Sequence, residues 1–176
     1  MTNYVFVAKS LDGYIAKKDG STDWLNIPNP NKTDYGYYDF TKKIDAIVMG
    51  RLSFEKALTY KPYPYDKPVF VLSNTLKKVP INLQDNVEIV NGDLYDIITY
   101  IKSKGYQNLY IDGGSTIQSF INENLIDEIT LTTLPVLLGN GIPLFKETNN
   151  ILYYKHKETI VYENGVVKTV YTKPHE

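Results

Sequence analysis

The sequence predicts an α/β protein with a mixed, mainly parallel central sheet, flanked by helices and closed by an antiparallel C-terminal hairpin. Three observations carry this expectation. Short apolar runs at residues 4–8, 46–49 and 69–72 have the length and β-branched content of strands buried on both faces. They alternate with segments of helical spacing, clearest in Leu94, Ile97, Ile98 and Ile101. Near the end, Asn164-Gly165 separates two β-rich runs and is a hairpin turn signal.

In order along the chain, residues 4–8 begin a central strand and residues 11–16 form a second short apolar piece. Residues 19–31 are rich in turn formers, include the only tryptophan, Trp24, and read as a long loop. Thr33 or Asp34 can cap a helix running to about Lys43. The second strand, 46–49, closes on Gly50-Arg51-Leu52-Ser53, and Phe54, Ala57 and Leu58 suggest a short helix after it. A proline-rich connection at 61–68 leads to the third strand, which ends at Leu72-Ser73-Asn74. A fourth strand follows at 87–90; Asp93 can cap the next helix, and Gly105 supplies its left-handed stop. Leu109-Tyr110-Ile111 then makes a buried strand, Asp112-Gly113-Gly114 a bare turn, and Ile117, Phe120, Ile121 and Leu125 a helical stripe. Residues 128–134 alternate as a strand does, and 152–162 with 166–171 complete the hairpin. No repeat or linker interrupts this order, so a single domain spanning 1–176 is expected.

Composition narrows the chemistry. With 43% hydrophobic residues the chain can bury a substantial core, and a net charge of −1 advertises no basic face for nucleic acid. The absence of cysteine removes disulfides, thiolate metal sites and thiol nucleophiles, and two histidines, His156 and His175, leave little for imidazole chemistry, so no metal site is expected. No apolar stretch approaches membrane-spanning length, and a cytoplasmic location is the expectation.

The stretch Asp112-Gly113-Gly114-Ser115-Thr116 joins a strand to a helix start without side chains at the turn. Free backbone N–H groups and the positive end of the helix dipole would point outward there, and a phosphate could approach the main chain closely. The same glycines could also serve only as a turn. Arg51 is the sole arginine, directly after another strand-ending glycine, and its guanidinium fork suits phosphate; as a lone residue it could equally be a solvated charge.

With these pieces in place the chain resembles the dihydrofolate reductase superfamily, and within it the branch that includes the reductase domain of bacterial riboflavin biosynthesis. The resemblance rests on Ser10-Leu11-Asp12-Gly13-Tyr14-Ile15-Ala16, Ile47-Val48-Met49-Gly50-Arg51, Val71-Leu72-Ser73, Ile111-Asp112-Gly113-Gly114-Ser115, and the segment from Leu134-Pro135-Val136 to Pro143-Leu144-Phe145. It implies NADPH as cofactor. Gly113 and Gly114, in a family where this peptide is typically cis, would abut the pyrophosphate with Asp112, Ser115, Thr116 and Ile117 beside it. Gly50, Arg51, Ser53, Leu72, Ser73 and Asn74 would meet the adenosine end, and Ala8, Ile15 and Ala16 the nicotinamide ring. Trp24 corresponds to the tryptophan of the mobile loop in folate reductases, and Thr132 to a substrate-side hydroxyl. The family's proton-donating acid would lie on the first helix, where Asp34 and Asp39 are the candidates at neither family spacing; each could instead be a cap or a solvated carboxylate. The arginine that grips folate's tail is absent, with Lys67 nearest, so folate is disfavoured. The resemblance thus implies an NADPH-dependent reductase of a small heterocyclic or carbonyl substrate, with 5-amino-6-(5-phosphoribosylamino)uracil a candidate. It also implies a homodimer formed through residues 134–145 or the hairpin. A non-catalytic NADP(H)-binding or sensing module on the same fold is the alternative.

Overall fold

The apolar runs become the strands of an eight-stranded sheet. A computed structural model of the chain describes residues 1–174, so His175 lies outside the described residues. The elements are β1 (Thr2–Lys9), β2 (Tyr14–Ala16), α1 (Tyr37–Lys43), β3 (Ala46–Gly50), α2 (Arg51–Ala57), β4 (Val69–Leu72), β5 (Val87–Val90), α3 (Leu94–Ser103), β6 (Asn108–Asp112), α4 (Gly114–Asn122), β7 (Glu128–Thr133), β8 (Ile142–Pro143), β9 (Lys155–Val161) and β10 (Val167–Thr172). The strand order is β5-β4-β3-β6-β1-β7-β10-β9. All pairs from β5 to β7 are parallel, and the β7–β10 and β10–β9 pairs are antiparallel. This is the mixed sheet that the alternation of strands and helices predicts, with the hairpin at one edge.

The sheet separates two cores. On one face α3 and α4 deliver Ile97, Ile101, Ile117, Phe120 and Ile121 onto Val5, Val48, Leu109 and Ile111. On the other, Phe40 of α1, Ile44 just after it and Phe54 of α2 cover Ile47, Met49, Val71 and Tyr110. Phe54 and Phe120 are fully buried, each contributing about 1.5–3 kcal/mol from area removed from water. Strand alternation therefore assigns Phe6 and Ala8 of β1, Asp112 of β6, Glu128, Thr130 and Thr132 of β7, and Lys168 of β10 to the α1 face.

Three local expectations change. The first helix starts at Tyr37 rather than at Thr33 or Asp34, because Gly36 adopts a left-handed φ of 87°. The Asp34 carboxylate still serves the helix start by accepting from the N–H groups of Gly36 and Tyr38. Second, the cis peptide bond among the described residues is Lys61–Pro62, so the Gly113–Gly114 peptide is trans. Third, residues 11–16 and the segment near 142 are joined as a separate two-stranded sheet, β2 with β8. No contiguous pattern in either piece announces that pairing.

Glu128 locks α1 and the edge hairpin to the sheet. It is 6% exposed, and its carboxylate accepts from Lys43 at 2.9 Å and Lys157 at 2.7 Å. Burial pushes the carboxyl up, but the two ammonium groups outweigh it and hold its pKa below the ordinary value. Glu128→Ala is expected to cost about 1–3 kcal/mol, reduced from the value for a fully enclosed pair because both lysines are near half-exposed, with a urea midpoint as the readout. Because the folded pKa is lowered, this contribution is present above the unfolded value and is lost as pH falls through the folded one, so wild type and variant converge in acid.

Candidate active site

The chain leaves β3 for β4 on one side and leaves β6 for β7 on the other, although β3 and β6 are neighbours. Their following helices, α2 and α4, pack on opposite faces, so the carboxyl ends of these strands part around a crevice. A cleft of about 1130 Å³ lies there. Its walls come from the turns after β3, β5 and β6, from the end of β4, and from β2 with its following loop.

The turns after β3 and β6 and the strand β2 approach one another closely. A Cβ at Gly113, whose φ is 89°, would stand 2.3 Å from Ser53 Oγ, and one at Gly114 would stand 2.5 Å from Ile15 Cδ1. Gly50 has Thr116 Oγ1 at 3.0 Å in the same sense. A Cβ at any of the three would oblige the end of the Ser53, Ile15 or Thr116 side chain to shift, and at Gly113 the left-handed φ itself favours glycine.

Of the residues expected at a cofactor, Ile15, Ala16, Gly50, Arg51, Ser53, Leu72, Gly113, Gly114, Ser115 and Thr116 line this cleft together. The first N–H groups of α4 have no helical partner, but Ile117 N–H is already bonded to Gly113 O at 2.9 Å, and Ile117 is a core residue. Arg51 points one nitrogen, Nη1, at Glu55 at 2.8 and 3.0 Å, which leaves the rest of the guanidinium fork for a ligand. Ala8, Ser73, Asn74 and Asp112 are not on the cleft wall. Ser73 Oγ instead accepts from the amides of Thr75 and Leu76, a turn-forming role. The cleft also uses Lys56, which bonds Gly20 O and Thr22 Oγ1, and the Gly92-Asp93-Leu94 turn. The repeated strand–glycine–helix pattern was the available signal for the latter.

Asp112 is placed on the α1 face, one residue before the cleft wall. Its carboxyl is enclosed by tyrosines: Tyr65 Oη lies 3.3 Å from Oδ2 and Tyr110 Oη 3.3 Å from Oδ1. Tyr110 has a single proton and a better acceptor in Phe6 O at 3.0 Å, so Oδ1 is best satisfied when the carboxyl itself donates. Burial raises the Asp112 pKa against the lowering effect of Gly113 N–H, Tyr65, Tyr110 and Lys56. Burial likewise pushes the Tyr37 hydroxyl up to about 12. A carboxyl whose pKa burial raises therefore stands at the end of β6, where sequence alone suggested a phosphate neighbour.

The other catalytic candidates divide. Thr132 is buried on the α1 face with no partner for Oγ1, and Trp24 Nε1 and Tyr63 Oη are likewise buried without partners. Asp34 and Asp39 are not brought to this polar group. Asp34 is exposed and committed to Gly36 and Tyr38, and Asp39 has an 82% exposed side chain paired with Lys42. His156 lies on the far edge strand, bonded to Thr159 at 2.7 Å. Among the described residues no group of three or more potential ligands is arranged for a metal ion, and no helix is long and apolar enough to cross a membrane.

A raised folded pKa means that the stability carried by neutral Asp112 is whole below the unfolded value near 3.8 and is lost as pH rises through the folded one. Asp112→Asn is neutral throughout. As pH rises from the unfolded value through the raised folded one, wild type is expected to lose melting temperature that the variant keeps, as read by thermal unfolding across a pH series.

Comparison with known proteins agrees with this geometry. Residues 3–168 match the family described as the RibD C-terminal domain. The "Uncharacterized protein YwjB" of Bacillus subtilis (strain 168) is 37% identical over 150 residues, spanning 83% of each chain. A solved structure, the "Putative riboflavin biosynthesis protein" from Shewanella sp. PV-4, is 46% identical, superposes with a TM-score of 0.95, and covers 99% of this chain and 100% of its own. At 18% identity the dihydrofolate reductase of Enterococcus faecalis, complexed with NADP(H) and RAB-propyl, shares the fold, with a TM-score of 0.67 over 99% of this chain and 97% of that one. The protein thus has the dihydrofolate reductase-like fold and belongs to the RibD C-terminal domain family.

Proposed function

We propose that this protein is an NADPH-dependent reductase that transfers hydride to a small heterocyclic or carbonyl substrate. The observation that carries the reading is the cleft of about 1130 Å³ at the parting of β3 and β6, at the upper end of ligand-site sizes. Its residues fit a dinucleotide phosphate. Gly113 and Gly114 present bare main chain, the first amides of α4 offer donors to a pyrophosphate, and Arg51 with Lys56 supplies positive charge. Bound there, NADPH would supply the hydride. Ile15 and Ala16 would flank the ring and exclude water from it.

Reduction of a C=O or C=N bond also needs a proton for the heteroatom. Asp112, whose pKa burial raises, is the group placed to supply one at the boundary between the cleft and the α1 face. The buried, unpartnered hydroxyls of Thr132 and Tyr63 favour a working substrate side over a module that only binds nucleotide, since such groups are costly unless something satisfies them. The name of the Shewanella relative and the NADP(H) bound to the Enterococcus enzyme support the class of reaction, with the riboflavin-precursor uracil among the substrates to be screened.

NADPH is expected to quench Trp24 fluorescence saturably and to bind more tightly than NADH. Arg51→Ala should weaken NADPH by about 10–100-fold with little change for NADH. An Arg51→Ala protein with unaltered NADPH affinity would contradict the assignment.

We also propose a homodimer through residues 134–145. Leu137 is 68% exposed on this segment, which the Asp12 carboxylate fixes by accepting from Leu138 and Gly139 amides, and Leu11, whose N–H donates to Val136 O, is 57% exposed beside it. The alternative surface, β9, carries exposed Lys155, His156, Lys157 and Glu158, the kind of charge that discourages edge pairing. Light scattering is expected to give a dimer mass for wild type and a monomer mass for Leu137→Glu; a monomeric wild type at all concentrations removes the idea.

A further inference from the structure

Residues 10–16 and 134–145, far apart in the chain, are tied into one unit that forms a wall of the cleft. β2 has three residues and β8 two, and a two-stranded sheet this short is marginal by itself in water. The bonds that hold it lie largely outside the strands. Leu11 N–H donates to Val136 O at 2.8 Å, and Leu144 N–H to Gly13 O at 2.9 Å. Between them stands the Asp12 carboxylate, which accepts from Ser10 Oγ at 2.6 Å, from Gly139 N–H at 2.7 Å, and from Leu138 N–H at 3.1 and 3.2 Å. The Ser10 hydroxyl, with these amides, holds the carboxyl below the usual carboxylate range, so near neutral pH it only accepts. Bonds to a charged acceptor are the stronger kind, and these two fall on residues of a segment that has no regular secondary structure.

The second tie is steric. Gly141 is not in the left-handed region, yet a Cβ there would stand 2.3 Å from Ala16 O, a main-chain atom that cannot swing aside, and 3.3 Å from the Tyr14 side chain. Glycine thus lets the segment lie directly on the β2 backbone. β2 also closes on the start of α4, where a Cβ at Gly114 would stand 2.5 Å from Ile15 Cδ1. Held from both directions, β2 and β8 place Ile15, Ala16 and Ile142 together on the cleft wall. Asp12 and Gly141 are not on that wall.

We infer that Asp12 and Gly141 are positioning residues for the nicotinamide ring: they fasten residues 134–145 to β2, and β2 so fastened presents Ile15, Ala16 and Ile142 to the ring. Arg51, Gly113 and Gly114, which face the phosphates, follow directly from β3 and β6 and are set by the sheet. The cleft therefore has one half built by the sheet and another built by a strap tied through two residues that touch no ligand. Loosening the strap lets the ring wall recede and admits water to the ring, while the phosphates keep their partners. The inference rests on the NADPH reading of the cleft.

The test compares NADPH with phospho-ADP-ribose, the same dinucleotide without its nicotinamide ring. Each is titrated calorimetrically into wild type, Asp12→Ala, Asp12→Asn and Gly141→Ala. Wild type is expected to bind NADPH about tenfold more tightly than the ringless ligand. Asp12→Ala and Gly141→Ala should each lose about five- to tenfold in NADPH affinity but less than about twofold for phospho-ADP-ribose, so that the preference collapses. Asp12→Asn should recover most of it, because its carbonyl oxygen can meet the Leu138 and Gly139 amides while its nitrogen turns to Ser10 Oγ. Gly141→Ala removes no polar group, so it reports on the strap even where Asp12→Ala does not fold. No preference in wild type, an unchanged preference in Gly141→Ala, or equal losses for both ligands each overturns the positioning role and leaves the cofactor site standing. Failure of wild type to bind either ligand overturns the NADPH reading, and this inference with it.

Discussion

The architecture of the site depends on one constraint: the turns after β3 and β6 must touch. β6 enters the sheet between β3 and β1, so the two strand–helix turns arrive side by side at the same end. Gly113 lies against the Ser53 side chain, Gly50 against that of Thr116, and β2 closes on Gly114 through Ile15. Larger residues here would push those side chains aside and loosen the contact between the turns. Through that contact the amides of α4 and the guanidinium of Arg51 share one cleft.

The sheet also divides the chemistry by face. The α3/α4 side is packed almost wholly with aliphatic residues and phenylalanine, which suits a rigid support. The α1 side is rich in tyrosine and contains an enclosed acid, a buried threonine and a half-buried lysine. Strand alternation produces this division: along β6, Leu109 and Ile111 serve the support while Tyr110 and Asp112 serve the polar side. Each strand of the centre thus contributes to both functions without any element being dedicated to either.

What was legible in the sequence follows from locality. The strands, the capping of α3 by Asp93 and the bare turn at Gly113 are written in contiguous residues, and the structure reproduces them. The first helix starts three residues after Asp34 because Gly36 takes a left-handed conformation, which helical spacing does not encode. Asp112 was legible as a turn residue but not as an enclosed acid with a raised pKa, since Tyr65 comes to it from 47 residues away. Lys168 and Thr132 are 36 residues apart in number, and only the β7–β10 register makes them neighbours. The pairing of β2 with β8 is of the same non-local kind.

The bond network of Asp12 reaches further than its size suggests. Its carboxylate ties the amides of Leu138 and Gly139, 126 and 127 residues distant, to the turn that precedes β2, while Ser10 Oγ donates to the same group at 2.6 Å. A loop such as the one before β8 would ordinarily sample many conformations, and each partner that docked on it would have to restrict them. Here the restriction is imposed by the fold itself. The apolar side chains at 137 and its neighbours are therefore preorganised, and surface buried against them is converted to affinity with little entropic loss.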